Sequence, residues 1–132
     1  MKKRLDVSQK FKTFEGRVIK ETPKKDSDDL TLKRVVLTYL KLAGKMGLSD
    51  AQQMTAYELG FKVGAGKGDV ILTTGEYDAL KKVVDSGKVK EPNGASNEVF
   101  SLEVRIQAKK LVDSAEVIKE KKDGNDKKEK VQ

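Results

Sequence analysis

The stretch GFKVGAGKGDVIL, Gly60 to Leu72, sets four glycines and two lysines ahead of an apolar run. That is the composition of a loop whose backbone amides cradle phosphate. The spacing denies that chemistry. A loop of the form G-x-x-x-x-G-K-[ST] ending at Gly66 and Lys67 requires glycine where Phe61 stands and a hydroxyl where Gly68 stands. A dinucleotide fingerprint begun at Gly64 requires glycine at Asp69. Both motifs also follow a strand and open a helix, whereas here a helical pattern precedes the glycines and an extended run follows them. Gly64 is therefore expected as the left-handed residue that ends a helix, with Ala65 to Gly68 as connector.

The remaining groups with chemical potential are carboxylates and cations. Asp26, Asp28 and Asp29 do not follow the spacing of a calcium loop, and acids at that place suit the positive end of the helix that follows. Glu76 and Asp78 are two apart on one helix, so they point away from each other rather than across a cleft. The chain has no histidine and no cysteine, which removes the usual general base, thiolate metal sites and every imidazole-dependent triad. We expect no catalytic residue, no metal ligand and no cofactor: a non-enzymatic protein. No apolar run approaches the ~20 residues that span a bilayer, and no hydrophobic stretch follows the first lysines, so no membrane partner and a cytoplasmic location are expected.

The formal charge is +7, and its distribution matters more than its sum. Residues 1–25 carry nine Lys and Arg against three acids, whereas residues 26–113 carry thirteen of each. Lys2, Lys3, Arg4, Lys10, Lys12 and Arg17 are thus the candidate contacts for phosphate or for an acidic protein surface, with Phe11 and Phe14 as candidate stacking platforms. Lys81, Lys82, Lys88 and Lys90, on and after a later helix, form a second candidate contact surface. No zinc finger or RNA-binding signature accompanies these cations. Residues 1–10, with only Leu5 and Val7 to pack, read as a basic flexible arm. EVIKEKKDGNDKKEKVQ reads as a frayed helix end passing into a disordered charged tail, residues 117–132.

Between these ends, residues 11–116 read as one globular domain. An irregular hairpin is expected around Phe14, Val18 and Ile19, turned at Gly16 and stopped by Pro23. Thr31 caps a helix carrying Leu32, Val35, Val36, Tyr39, Leu40 and Ala43 on a wide apolar stripe. Ser49 and Gln52 have capping-box spacing ahead of a second helix, whose Met54, Tyr57 and Phe61 share one face; that stripe reads as core in preference to a ligand pocket. Val70 to Leu72 are extended, Thr73 and Glu76 cap a third helix, and Gly87 ends it. Phe100, Leu102, Val104 and Ile106 alternate like a strand, yet Phe100, Val104, Ala108, Leu111, Ala115 and Ile118 follow one helical face behind Asn97 or Ser96 as cap. Length favours the helix. The expected fold class is α+β, mostly α, with about four short helices around one small core, a short N-terminal β-hairpin and one further short strand.

In that order, FKTFEGRVI, LTLKRVVLTYL, AYELGFKV and DVILTTGEYDALKKVV resemble a group of small accessory proteins carried by tailed phages and prophages, over residues 11–88 and more loosely RIQAKKLVD. The resemblance implies a viral accessory context, a site of action in the host cell cytoplasm and a host or viral protein as partner. It carries no activity onto named residues. Direct nucleic-acid binding through the basic N-terminal segment is the alternative.

Overall fold

The computed structural model describes residues 2–24 and 26–118. In chain order it forms β1 (Lys2–Asp6), α1 (Leu32–Lys41), α2 (Asp50–Ala65), β2 (Asp69–Leu72), α3 (Thr74–Ser86), β3 (Lys88–Lys90), β4 (Ser96–Glu98), α4 (Leu102–Asp113) and β5 (Glu116–Ile118). This is the α+β, mostly helical class that the residue patterns indicate.

The expected basic arm is not an arm. Lys2–Asp6 is the middle strand of a three-stranded antiparallel sheet in the order β2-β1-β5, paired Leu5 to Val70 on one side and Arg4 to Glu116 on the other. The cause is period-two alternation. Leu5 and Val7 face inward and are buried, and Lys3, on the same face, lays its ammonium 4.0 Å from the centre of the Tyr77 ring, which lets a charged tip accompany an inward-facing stem. The core accordingly starts at Leu5, not at residue 11, and runs to Val112. At the other end Glu116–Ile118 completes the sheet as β5 instead of continuing a helix; the rest of the expected tail, from 119, lies outside the described residues.

The hairpin of residues 11–19 is irregular as expected: Ile19 N–H donates to the Phe11 carbonyl, Thr13 N–H to that of Arg17, and Gly16 takes φ 86° at the turn. Phe11 is fully buried. The caps follow the sequence closely. Thr31 accepts from Arg34 N–H, Ser49–Gln52 and Thr73–Glu76 close reciprocal capping boxes, and Gly87 ends α3 in the left-handed region at φ 60°. Gly64, by contrast, is an ordinary residue within α2, and Gly66 caps that helix in extended conformation. The ambiguous stretch divides: Ser96–Glu98 pairs with β3, and Ser101, rather than Asn97 or Ser96, caps α4.

Helices α1 and α2 form an antiparallel hairpin, tied where Lys33 Nζ donates to the Gly66 carbonyl at 2.9 Å. Helix α3 packs against α1, α2 and α4, and Tyr77 Oη donates to the Val112 carbonyl at 2.8 Å to pin the end of α4. Tyr39, in the last turn of α1, meets Phe100 edge to face at 5.3 Å. Burial pushes its hydroxyl up to about 12, with Arg105 pulling the other way.

Candidate functional site

Several of the cations singled out by the sequence face acids. Arg4 faces Glu116 at 2.9 Å and Asp69 at 4.0 Å. Lys10 reaches Asp29 at 2.9 Å, and Lys20 binds the other oxygen of the same carboxylate. Lys81 is held by Asp113 at 2.6 Å and Asp85 at 3.4 Å, and Lys82 reaches the Gln52 side-chain oxygen at 3.2 Å. Lys2 borders an open depression with Lys62, Gly66 and Thr73. Exposed ion pairs such as those of Arg4, Lys10 and Lys81 contribute little stability, but each sets an acid beside the cation and shortens the reach of its field. Lys12, Arg17, Lys88 and Lys90 are exposed and form no ion pair among the described residues.

Of the two proposed stacking rings, the buried Phe11 is part of the core. Phe14 is 82% exposed at the hairpin tip. Its N–H donates to Glu103 at 2.6 Å, and the Lys12 backbone exchanges hydrogen bonds with Gln107, so the tip is fixed against α4 beside exposed Leu102 and Ile106.

Glu76, weighed above as half of an acid–base pair, is engaged structurally. It receives Thr73 N–H at 2.9 Å and the Lys62 ammonium at 2.6 Å. Burial alone would raise its carboxyl; the Lys62 and Thr73 contacts outweigh burial and hold it below the usual carboxylate range. Because the folded-state value is the lower one, the associated stability is complete above the ordinary glutamate value of about 4.3 and is lost as pH falls through the folded-state value. Urea midpoints recorded between about pH 6 and pH 3 are expected to decline less steeply in Glu76→Gln than in the native chain; equal slopes would contradict this role.

The surface that the sequence reading placed inside lies outside. Met54 and Tyr57 are each 70% exposed and Phe61 is 66% exposed. The residues of α2 that enter the core are Ala56, Leu59 and Val63. Each set recurs at helical spacing, so α2 is apolar on two opposite faces, and a period of 3.6 cannot choose between them. The bulkier set was the natural choice for core. What decides is the approach of α1: a close antiparallel hairpin admits the smaller Ala56 and Val63 at the contact and turns the large side chains outward.

Tyr57 and Phe61 meet edge to face with ring centres 5.0 Å apart. They form one wall of an apolar groove of about 280 Å³, whose other wall is Leu37, Leu40 and Lys41 of α1 and whose floor is Ala56 and Gly60. Gly60 and Gly64 are unusual here. A Cβ at either would meet nothing within 4 Å, and neither has positive φ, yet Gly60 weakens the helix interior by about 1 kcal/mol relative to alanine. Nothing inside the fold accounts for either glycine. Lys41 and Lys45 on the α1 side, and Glu58 on α2, are exposed without ion pairs among the described residues.

Comparison of the chain with protein-family models, with curated proteins and with solved structures finds no match. Among the described residues, no helix is long and apolar enough to cross a membrane.

Proposed function

We propose that this chain is a non-enzymatic interaction module, a viral accessory protein that acts in the host cytoplasm by binding a host or viral protein through the outer face of α2. The observation that carries this reading is the row of Met54, Tyr57 and Phe61, three large apolar side chains at least 66% exposed on one rigid, doubly capped helix. Single exposed apolar residues are ordinary; a contiguous stripe beside a groove is the mark of a contact surface. Aromatic side chains held in place by their helix make strong contacts because little freedom remains to be lost on binding. The missing histidine and cysteine and the resemblance to accessory proteins of tailed phages point the same way.

The test is capture from the cells in which the chain is naturally made, after nuclease digestion, combined with a photo-cross-linking residue in place of Glu58. A protein that is cross-linked at that position, retained by the native chain and lost by Tyr57→Ser/Phe61→Ser is the expected result. Equal retention by both chains would sink the reading.

A second reading, contact with single-stranded nucleic acid, is favoured by one observation: Phe14 stands exposed on a fixed hairpin tip with Lys12 and Arg17, which form no ion pair among the described residues, in the same hairpin. It requires binding that weakens steeply with salt and is lost in Phe14→Ala; no low-salt gel shift with single-stranded oligonucleotides would remove it.

A further inference from the structure

We propose that Met54 is an oxidation site, and that its conversion to the sulfoxide by a peroxide weakens docking on the outer face of α2; the second half of this inference rests on the docking reading given above. The first half stands on sulfur chemistry and exposure. The chain has no cysteine, so no thiolate competes for a peroxide, and its thioethers are the softest nucleophiles it offers. Of its three methionines, Met1 lies outside the described residues. Met46 is 6% exposed and belongs to the core, whereas Met54 is 70% exposed. Met54 also lines an open depression with Asp50, Gln53, Tyr57 and Glu58, so a small oxidant and water reach its sulfur together.

The reaction balances on hydrogen peroxide alone. A sulfur lone pair attacks one peroxide oxygen and the O–O bond breaks. The departing hydroxide takes the proton left on the transferred oxygen and leaves as water, so the thioether is oxidised to a sulfoxide and the peroxide is reduced. The product is a polar, strong acceptor where an apolar side chain stood. Met54, Tyr57 and Phe61 stand at i, i+3 and i+7, on one face of α2. A partner shaped to that apolar face strips water from the new oxygen and supplies no donor in its place, which opposes binding. The fold itself is indifferent to the change. The residues of α2 in the core are Ala56, Leu59 and Val63, and the capping box at Ser49 and Gln52 makes no use of the thioether. Polarity therefore changes on the docking face without unfolding the helix that carries it, and methionine sulfoxide reductases reverse the change.

The experiment treats the full chain and Met54→Leu with hydrogen peroxide, maps each methionine by peptide mass spectrometry and records urea unfolding of the products. Met54 is expected to oxidise at least about tenfold faster than Met46, with the unfolding midpoint unchanged. The same chains, carrying the photo-cross-linking residue in place of Glu58 and freed of peroxide, are then returned to the nuclease-treated extract. The partner cross-linked at that position is expected to fall at least about tenfold after oxidation, to recover after treatment with methionine sulfoxide reductases, and to be unaffected in Met54→Leu, whose side chain keeps size and polarity but has no sulfur. Oxidation of Met46 as fast as Met54 would overturn the site. A cross-link that survives Met54 oxidation, that is lost equally from peroxide-treated Met54→Leu, or that falls together with the unfolding midpoint would overturn the effect on docking. If Met54 oxidation leaves the cross-link intact while Tyr57→Ser/Phe61→Ser loses it, the redox control is wrong and the docking face stands. If the cross-link survives that double substitution, the face itself is wrong and its redox control falls with it, while the peroxide map still decides the oxidation site.

Discussion

A chain begun at Ser8 is expected to be unfolded under conditions where the full chain is folded, by loss of the cooperative thermal transition in circular dichroism. Removing residues 2–7 takes out β1, which pairs with β2 along one edge and β5 along the other, and leaves two strands with no neighbour between them. It also deletes Leu5 and Val7, at 2% and 1% exposure, whose burial is worth roughly 1.5–3 kcal/mol each. Further contacts go with them: Val7 donates to the Gly68 carbonyl and accepts from Lys33 N–H, which joins the strand to the α2–β2 connector and to the start of α1. Those losses together match the lower end of the ~5–15 kcal/mol that holds a small domain folded. A truncated chain that keeps the full transition would mean that these residues are the loose leader their lysines suggest.

The second large effect separates folding from function on a single helix. Tyr57→Ser/Phe61→Ser is expected to shift stability by no more than about 0.5 kcal/mol, as surface substitutions do, while partner affinity falls at least about 100-fold, since central aromatic anchors carry ~2 kcal/mol or more each. Leu59→Ala, between them in sequence and fully buried, is expected to do the reverse. It should cost about 2–5 kcal/mol in stability through the cavity it leaves, with binding intact in the fraction that remains folded. Urea unfolding and a binding titration on the same three chains decide the matter; a double substitution that destabilises as much as Leu59→Ala would return the outer stripe to the core.

The local signals in the sequence proved strong where the chemistry was local. Capping boxes at Ser49 and Thr73 and the left-handed Gly87 are short-range events, and the residues that make them lie within one turn of each other. The hairpin turned at Gly16 belongs with them. What the sequence concealed depended on distant partners. Lys2–Asp6 looks like a charged leader until β2 and β5 flank it, because three adjacent cations mask the Leu5 and Val7 alternation. Glu116–Ile118 continues a helical period on paper, but β1 offers it a free edge and takes it as a strand. The most consequential reversal was on α2, where two apolar faces compete and only the neighbouring helix chooses. That choice turned a presumed core stripe into the candidate site. Of the cations proposed as contacts, most were legible as exposed, but their acids lie far along the chain, as with Arg4 and Glu116 or Lys81 and Asp113.

The chain contains three tyrosines and neither tryptophan nor histidine, so photochemically induced nuclear polarisation reads tyrosine accessibility without interference from other residues. In the free protein one polarised ring is expected, that of Tyr57, with the buried Tyr39 and Tyr77 silent, and its signal is expected to vanish when the partner protein is bound. A silent Tyr57 in the free protein would contradict an open α2 face, whether the cover is a second copy or another stretch of the same chain.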